Sequence, residues 1–214
     1  MISRFIAACE ALRDSCPKHR AGIMSDIPLP VEMIEAECPM AWASENLEFL
    51  GAGDTAYVYK HPTDDTRVIR VSDYPDGWFL YAEQALDACD DDEGEPSPFF
   101  PKVYWIGNKD STLIGVSERL DEIENGSEMD ELVEAISAAL ICQDEKAWAY
   151  LDEELPDFRE FSQRLYARID LKDGNIMRRG DQLVINDPLR AIPHAMEESF
   201  RERHSFSTRS ILKP

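Results

Sequence analysis

Between Ile169 and Pro188 the chain sets three polar groups around a short apolar run: Asp170, then Asn175, then Asp187 at the end of the run. Ile176 and Met177 lead into a turn at Arg179-Gly180-Asp181, and Leu183, Val184 and Ile185 read as a buried return strand. A hairpin of this kind predicts that Asp187 is delivered beside Asn175. A carboxylate and an amide oxygen brought together suit a hard cation such as magnesium, which takes few protein oxygens and completes its shell with phosphate and water. Asp170, one loop away, is the candidate to orient or deprotonate a hydroxyl. The plainer alternative is an acidic loop ahead of a surface hairpin.

A second constraint lies upstream, where two apolar strands flank Gly51-Ala52-Gly53 and a turn at Pro62 to Thr66 precedes a third strand, Val68 to Val71. Glycines in such a hairpin let backbone amides approach phosphates with no side chain in the way. A Gly-x-Gly hairpin serves equally well as an ordinary turn, so this stretch gains meaning only in combination with the first.

The remaining segments frame these two. Ile2, Phe5, Cys9 and Leu12 recur at helical spacing, predicting an amphipathic helix over residues 1 to 16. Prolines from Pro17 to Pro39 predict an irregular lead-in with one or two helical turns over Val31 to Ala36. Gly77 to Ala88 reads as a helix carrying Glu83, and Asp87 to Pro98 as an exposed acidic loop. Phe99 to Ile106 and Thr112 to Glu118 read as strands around a turn at Gly107-Asn108-Lys109-Asp110. Helical patterns follow over Glu128 to Cys142 and Pro156 to Arg168. The tail reverses the local charge: Arg190, Arg201, Arg203, Arg209 and Lys213 outnumber Glu197, Glu198 and Glu202, with Ser199, Ser205, Ser207, Thr208 and Ser210 among them. A basic, hydroxyl-rich segment suits phosphorylation in cis; a frayed terminus is the alternative.

Composition narrows the classes. A formal charge of −21, from 43 acidic against 22 basic residues, repels a phosphate backbone; direct nucleic-acid binding is not expected and a basic partner fits better. No apolar run is long enough to span a membrane, and Arg4 and Glu10 interrupt the first residues, so neither a membrane segment nor a secretory signal is expected and the location is read as cytoplasmic. The 5 cysteines (Cys9, Cys16, Cys38, Cys89, Cys142) are scattered and read as reduced thiols in packing positions. His19, His61, His194 and His204 form no metal-ligand pair. Oligomeric state is not legible.

Asp170-Leu171-Lys172-Asp173-Gly174-Asn175 followed by Asp187-Pro188 resembles the catalytic loop and metal-binding Asp of the protein kinase superfamily, and Gly51-Ala52-Gly53-Asp54-Thr55-Ala56-Tyr57-Val58 resembles its glycine-rich loop. The resemblance implies an α+β, two-lobed protein-kinase-like fold, with a small antiparallel-sheet N-lobe bearing one helix and a reduced, mainly helical C-lobe. The implied organisation is a helical extension over 1–45, an N-lobe over 46–120, a reduced C-lobe over 121–190 and a tail over 191–214. Its cofactors are ATP and Mg2+. By the same resemblance Gly51, Ala52 and Gly53 cover the phosphates, Val58 roofs the adenine, Arg70 stands at the position of the phosphate-clamping Lys with Glu83 as its helix partner, Val116 guards the back of the pocket, and Glu118 to Leu120 offer backbone groups to adenine. Asn175 and Asp187 hold magnesium, Asp170 positions the acceptor hydroxyl, and Lys172 stabilises the transferring phosphoryl group.

Two departures matter. Arg70 keeps the charge of the usual Lys but carries a broader planar head, and Arg168-Ile169-Asp170 replaces His-Arg-Asp, removing the arginine that answers activation-loop phosphorylation. Only 27 residues follow Asp187 in a chain of 214, too few for the helical platform of an ordinary protein kinase. This compact form, with His61-Pro62, Arg67-Val68-Ile69 and Gly174-Asn175-Ile176-Met177, is most similar to the early serine/threonine kinases of lytic short-tailed bacteriophages. That family implies phosphorylation of host transcription or RNA-processing proteins, with autophosphorylation. A non-catalytic kinase-like inhibitor, its acidic surface seated in a basic groove of a host protein such as RNA polymerase, is the competing expectation. Small-molecule phosphotransfer of the antibiotic-kinase type, which shares Gly-Asn-Ile-Met but has a longer helical lobe, is a third.

Overall fold

The computed structural model describes residues 28–53, 55–74, 77–90, 97–124, 126–163 and 175–188. They form an α+β protein in two compact units, one drawn from residues 28–86 with 102–119, the other from 87–101 with 120–188. The expected helix over 1 to 16 and the basic tail lie outside the described residues, as do Asp170 and Lys172.

The first unit is built on a five-stranded sheet of β1 (Phe49–Ala52), β2 (Ala56–Lys60), β3 (Arg67–Ser72), β4 (Val103–Lys109) and β5 (Thr112–Glu118), in the order β1-β2-β3-β5-β4. Every neighbouring pair is antiparallel. Helices α1 (Val31–Glu35) and α2 (Pro39–Asn46) precede the sheet, and α3 (Gly77–Asp90) is inserted between β3 and β4. This is the antiparallel sheet with one inserted helix that the resemblance implies for the small lobe.

Strand register decides what each face of the sheet carries. Gly51 stands opposite Val58, Val58 opposite Arg70, Arg70 opposite Gly115 and Gly115 opposite Ile106. Residues directly opposite share a face and the next residue along takes the other. Tyr59, Ile69 and Val116 therefore occupy the reverse face, where they form one buried cluster with Val71, Ile114 and with Leu29, Met33, Ile34 and Ala43 from the leading segment. Residues 28–46 thus supply a wall of this core. His61 pins that segment down: Nε2 bonds the Pro28 carbonyl at 3.0 Å, and the Thr63 amide donates to Nδ1 at 3.4 Å.

Two sequence expectations shift here. The strand expected over Phe99 to Ile106 begins at Val103, and the turn expected at Gly107 to Asp110 falls instead at Asp110 and Ser111, with Asp110 left-handed at φ 54°. The reason is Lys109. Its buried ammonium donates to the carbonyls of Ile34, at 2.6 Å, and Ala36, so it closes the C-terminal end of α1 and must stay in the strand. Helix α2 falls almost entirely within the helical extension expected over 1–45 but was not placed individually; its apolar stripe is slight, and only Pro39 and Ala43 are buried.

The second unit contains α4 (Glu128–Cys142), α5 (Glu145–Glu154), α6 (Phe158–Gln163) and a hairpin of β6 (Ile176–Arg179) and β7 (Gln182–Ile185). Ser127 caps α4 by accepting from the Asp130 amide, and Asp144 caps α5 by accepting from the Lys146 amide. Helix α5 was not expected from the sequence, although Asp144 caps it and Glu145 opens its first turn; Leu151 is its buried residue among the described side chains. Phe99, Phe158 and Phe161 pack edge-on or tilted at centroid distances of 5.2 to 5.9 Å, with Phe100 on Phe161 at 5.0 Å. This cluster holds Phe99 and Phe100 in a turn rather than a strand. Arg159 stacks on Trp148 at 4.6 Å and pairs with Asp152 through both carboxylate oxygens.

Cys38 and Cys142 are unbridged and exposed, where packing positions were expected. Among the described residues no helix is long and apolar enough to cross a membrane.

Candidate functional site

In the second unit, the polar pair expected at the hairpin's base is brought together by the backbone. Ile176 pairs with Ile185, and just beyond that pair the Asn175 carbonyl accepts from the amides of both Asn186, at 2.7 Å, and Asp187, at 3.2 Å. Gly180, at φ 59°, makes the reversal, with Leu183, Val184 and Ile185 buried as expected. The hairpin is fastened on both sides. Arg178 exchanges backbone hydrogen bonds with Asp121 at 2.9 and 3.0 Å, the Ile185 amide donates to the Phe99 carbonyl at 2.9 Å, and Arg179 Nη2 donates to the Phe100 carbonyl at 2.9 Å. Asn175 and Asp187 are consequently fixed relative to one another, and both are partly exposed. Asn186, between them and the strand, turns its amide to the Met177 sulfur at 3.4 Å. The side chains the two residues carry, an amide oxygen and a carboxylate, are of the hard donor type that suits magnesium, with phosphate and water needed for the rest of the shell. Among the described residues no group of three His, Cys, Asp or Glu side chains is arranged to hold a metal.

In the first unit, the glycine-rich hairpin closes when the Gly53 amide donates to the Ala56 carbonyl at 2.8 Å. That amide is thereby committed within the hairpin. Ladder hydrogen bonds alternate sides along a strand, so Ala52, between two residues that face β2, directs its amide away from β2. Neither Gly51 nor Gly53 has the positive φ that demands glycine, and a side chain at either would meet no atom within 4 Å. The fold does not require these glycines. What they leave is a bare patch of backbone on the same sheet face as Val58 and Arg70.

Arg70 lies with its guanidinium carbon 5.1 Å from the Trp78 ring centre. Glu83 is buried on α3 at 7 % exposure, one turn along from Phe79, which itself approaches Gly115. The chain therefore carries Glu83 on the stripe of α3 that meets the sheet.

Val116 is placed differently from the expected pocket, and two of the expected adenine-facing residues have their amides committed. Val116, fully buried opposite Ile69, belongs to the core on the reverse face and does not share a face with Val58 and Arg70. The cause is period-two alternation: Gly115, one residue earlier, is the β5 residue in the Arg70 row. Glu118 spends its carboxylate on the Lys102 amide at 2.7 Å and its own amide on the Lys102 carbonyl at 2.8 Å. The Arg119 amide is likewise taken by the Thr66 carbonyl at 2.7 Å. Of the stretch expected to offer backbone groups to adenine, the amides of Glu118 and Arg119 are thus committed within the first unit.

Trp78 and Gly115 are the pair that sequence reasoning missed. A Cβ at Gly115 would lie 2.5 Å from the Trp78 ring, so the indole occupies the space where a side chain at that position would stand. A glycine inside an otherwise apolar strand was the available signal, since it marks close approach of another group.

No protein-family model matches the chain, and no curated protein matches it. Among solved structures it is similar to a thermostable mutant of aminoglycoside phosphotransferase APH(4)-Ia in a ternary complex with AMP-PNP and hygromycin B, at 12% identity and a TM-score of 0.39, over 66% of this chain and 65% of that one. It is also similar to the kinase domain of PknI from Mycobacterium tuberculosis, at 16% identity and a TM-score of 0.36, over 65% of this chain and 56% of that one. The chain spans less than two thirds of the length of either matched structure.

Proposed function

We propose that the chain is an ATP- and magnesium-dependent phosphotransferase, a serine/threonine protein kinase of the compact phage type acting on host proteins of transcription or RNA processing. The observation that carries this reading is the sheet register that puts Gly51, Val58 and Arg70 on one face, with open space where a side chain at Gly51 would stand. Bare backbone beside a fixed cation is a phosphate-binding arrangement. The coupled Asn175 and Asp187 support it with donors suited to magnesium. Asp170 is assigned to position the acceptor hydroxyl and Lys172 to stabilise the transferring phosphoryl group. Magnesium, when bound, would neutralise charge on the phosphates.

Arg70 favours a second reading, an acidic kinase-like inhibitor that binds a basic surface of a host protein such as RNA polymerase without turnover. One experiment separates the two. The protein is incubated with labelled ATP, magnesium and host lysate beside Asp170→Ala and Asp187→Ala. Label transferred by wild type and lost in both variants is the expected result. No label in any sample, together with salt-sensitive binding to a host protein that survives both substitutions, would replace the kinase by the inhibitor.

A further inference from the structure

The row of residues that carries Arg70 also contains an unusual vacancy and the ring that fills it. Gly115 stands directly opposite Arg70, and the Trp78 indole lies where a Gly115 side chain would be, with ring carbons at 2.5 and 2.7 Å from that Cβ position. Trp78 is 2 % exposed and is braced edge-on by Phe79 at 5.1 Å, so the indole has one orientation. Its ring lies 5.1 Å from the Arg70 guanidinium carbon, within cation–π range.

We infer that Trp78, seated in the Gly115 gap, is a positioning residue that sets the plane of the Arg70 guanidinium so that its N–H edge engages nucleotide phosphate oxygens in a bidentate manner. This rests on the nucleotide-binding reading above. A ring over the face of a guanidinium constrains its plane and leaves the in-plane donors to make hydrogen bonds, whereas an ammonium has no plane to set. Arginine at this position is then matched to its support. Lysine there, although it keeps the charge, does not restore anything.

The test compares affinity for ATP and for adenosine, both with magnesium, by calorimetry. The proteins are wild type, Trp78→Phe, Trp78→Leu, Arg70→Lys and the Arg70→Lys/Trp78→Leu double variant. Urea unfolding is followed in parallel. Loss of the stack in Trp78→Leu is expected to lower the preference for ATP over adenosine roughly tenfold. Trp78→Phe retains a ring face and loses less, Arg70→Lys loses a similar amount to Trp78→Leu, and the double variant loses no more than Arg70→Lys. A merely structural tryptophan would weaken ATP and adenosine alike. That result, an undiminished Trp78→Leu effect in the Arg70→Lys background, or tighter ATP binding by Arg70→Lys would overturn the inference while leaving nucleotide binding intact. Wild type binding neither compound overturns the functional reading and this inference with it. Should Trp78→Leu fail to fold, Trp78→Phe decides: its smaller ring face should lower the preference for ATP over adenosine in the Arg70 protein and leave it unchanged in the Arg70→Lys background, and an equal effect in both would overturn the inference.

Discussion

Replacing Gly51 by alanine separates a glycine kept for folding from one kept for a ligand. At Gly51 the backbone is not left-handed and the added methyl meets nothing within 4 Å, so the folded state accepts it without displacement. Alanine restricts the unfolded chain more than glycine does, and at a compatible position this stabilises by about 0.4–1 kcal/mol. For a domain of this size that raises Tm by roughly 1–4 °C. Nucleotide binding should move the other way. A methyl on the bare face holds phosphate oxygens away from the backbone, and loss of one charge-assisted hydrogen bond of about 1.5–3 kcal/mol weakens ATP binding roughly tenfold to a hundredfold. Thermal unfolding and calorimetric titration with Mg-ATP on the same preparation give both numbers. A variant that gains stability and keeps wild-type ATP affinity would show that this face does not meet phosphate. One that loses more than about 1 kcal/mol would show that the open space is not there.

Three further outcomes follow from other parts of the molecule. Asp187→Asn keeps the backbone amide that donates to the Asn175 carbonyl, and magnesium-dependent nucleotide binding should fall to the metal-free level, read from titrations with and without magnesium. Lys109→Met removes the buried ammonium from the Ile34 and Ala36 carbonyls and should cost about 2–3 kcal/mol in urea unfolding. The hydrogen bonds from Arg159 hold the Asp152 carboxyl below its ordinary value of 3.8. A depressed carboxyl contributes stability that is complete above its unfolded value and lost as pH falls through its folded one. Asp152→Asn should therefore flatten the decline in the urea midpoint between about pH 5 and pH 2.5.

Much of this architecture is legible in the order of residues, for identifiable reasons. The Ile176 to Ile185 hairpin could be read because a glycine turn separates two short apolar runs, and such a pair leaves little choice of register. The inserted helix α3 was legible from its apolar spacing. Val116 was not assignable in the same way, because every residue from Thr112 to Glu118 is buried and alternation then gives no sign of which face each one takes. Lys109 misled for a different reason: Gly-Asn-Lys-Asp reads as a turn locally, and only the distant carbonyls of α1 make a buried lysine tolerable within the strand. Trp78 escaped notice because a tryptophan on a helix is ordinary core material until the glycine beneath it is seen.

The leading segment has a consequence for dissecting this protein. Met33, Ile34 and Ala43 cover Ile69, Val71, Ile114 and Val116, so a fragment that starts at β1 would present those four side chains to water as one continuous oily surface. Such a fragment should self-associate rather than remain monomeric. The shortest autonomous version of the sheet begins no later than Pro28, where the His61 ring fastens the chain.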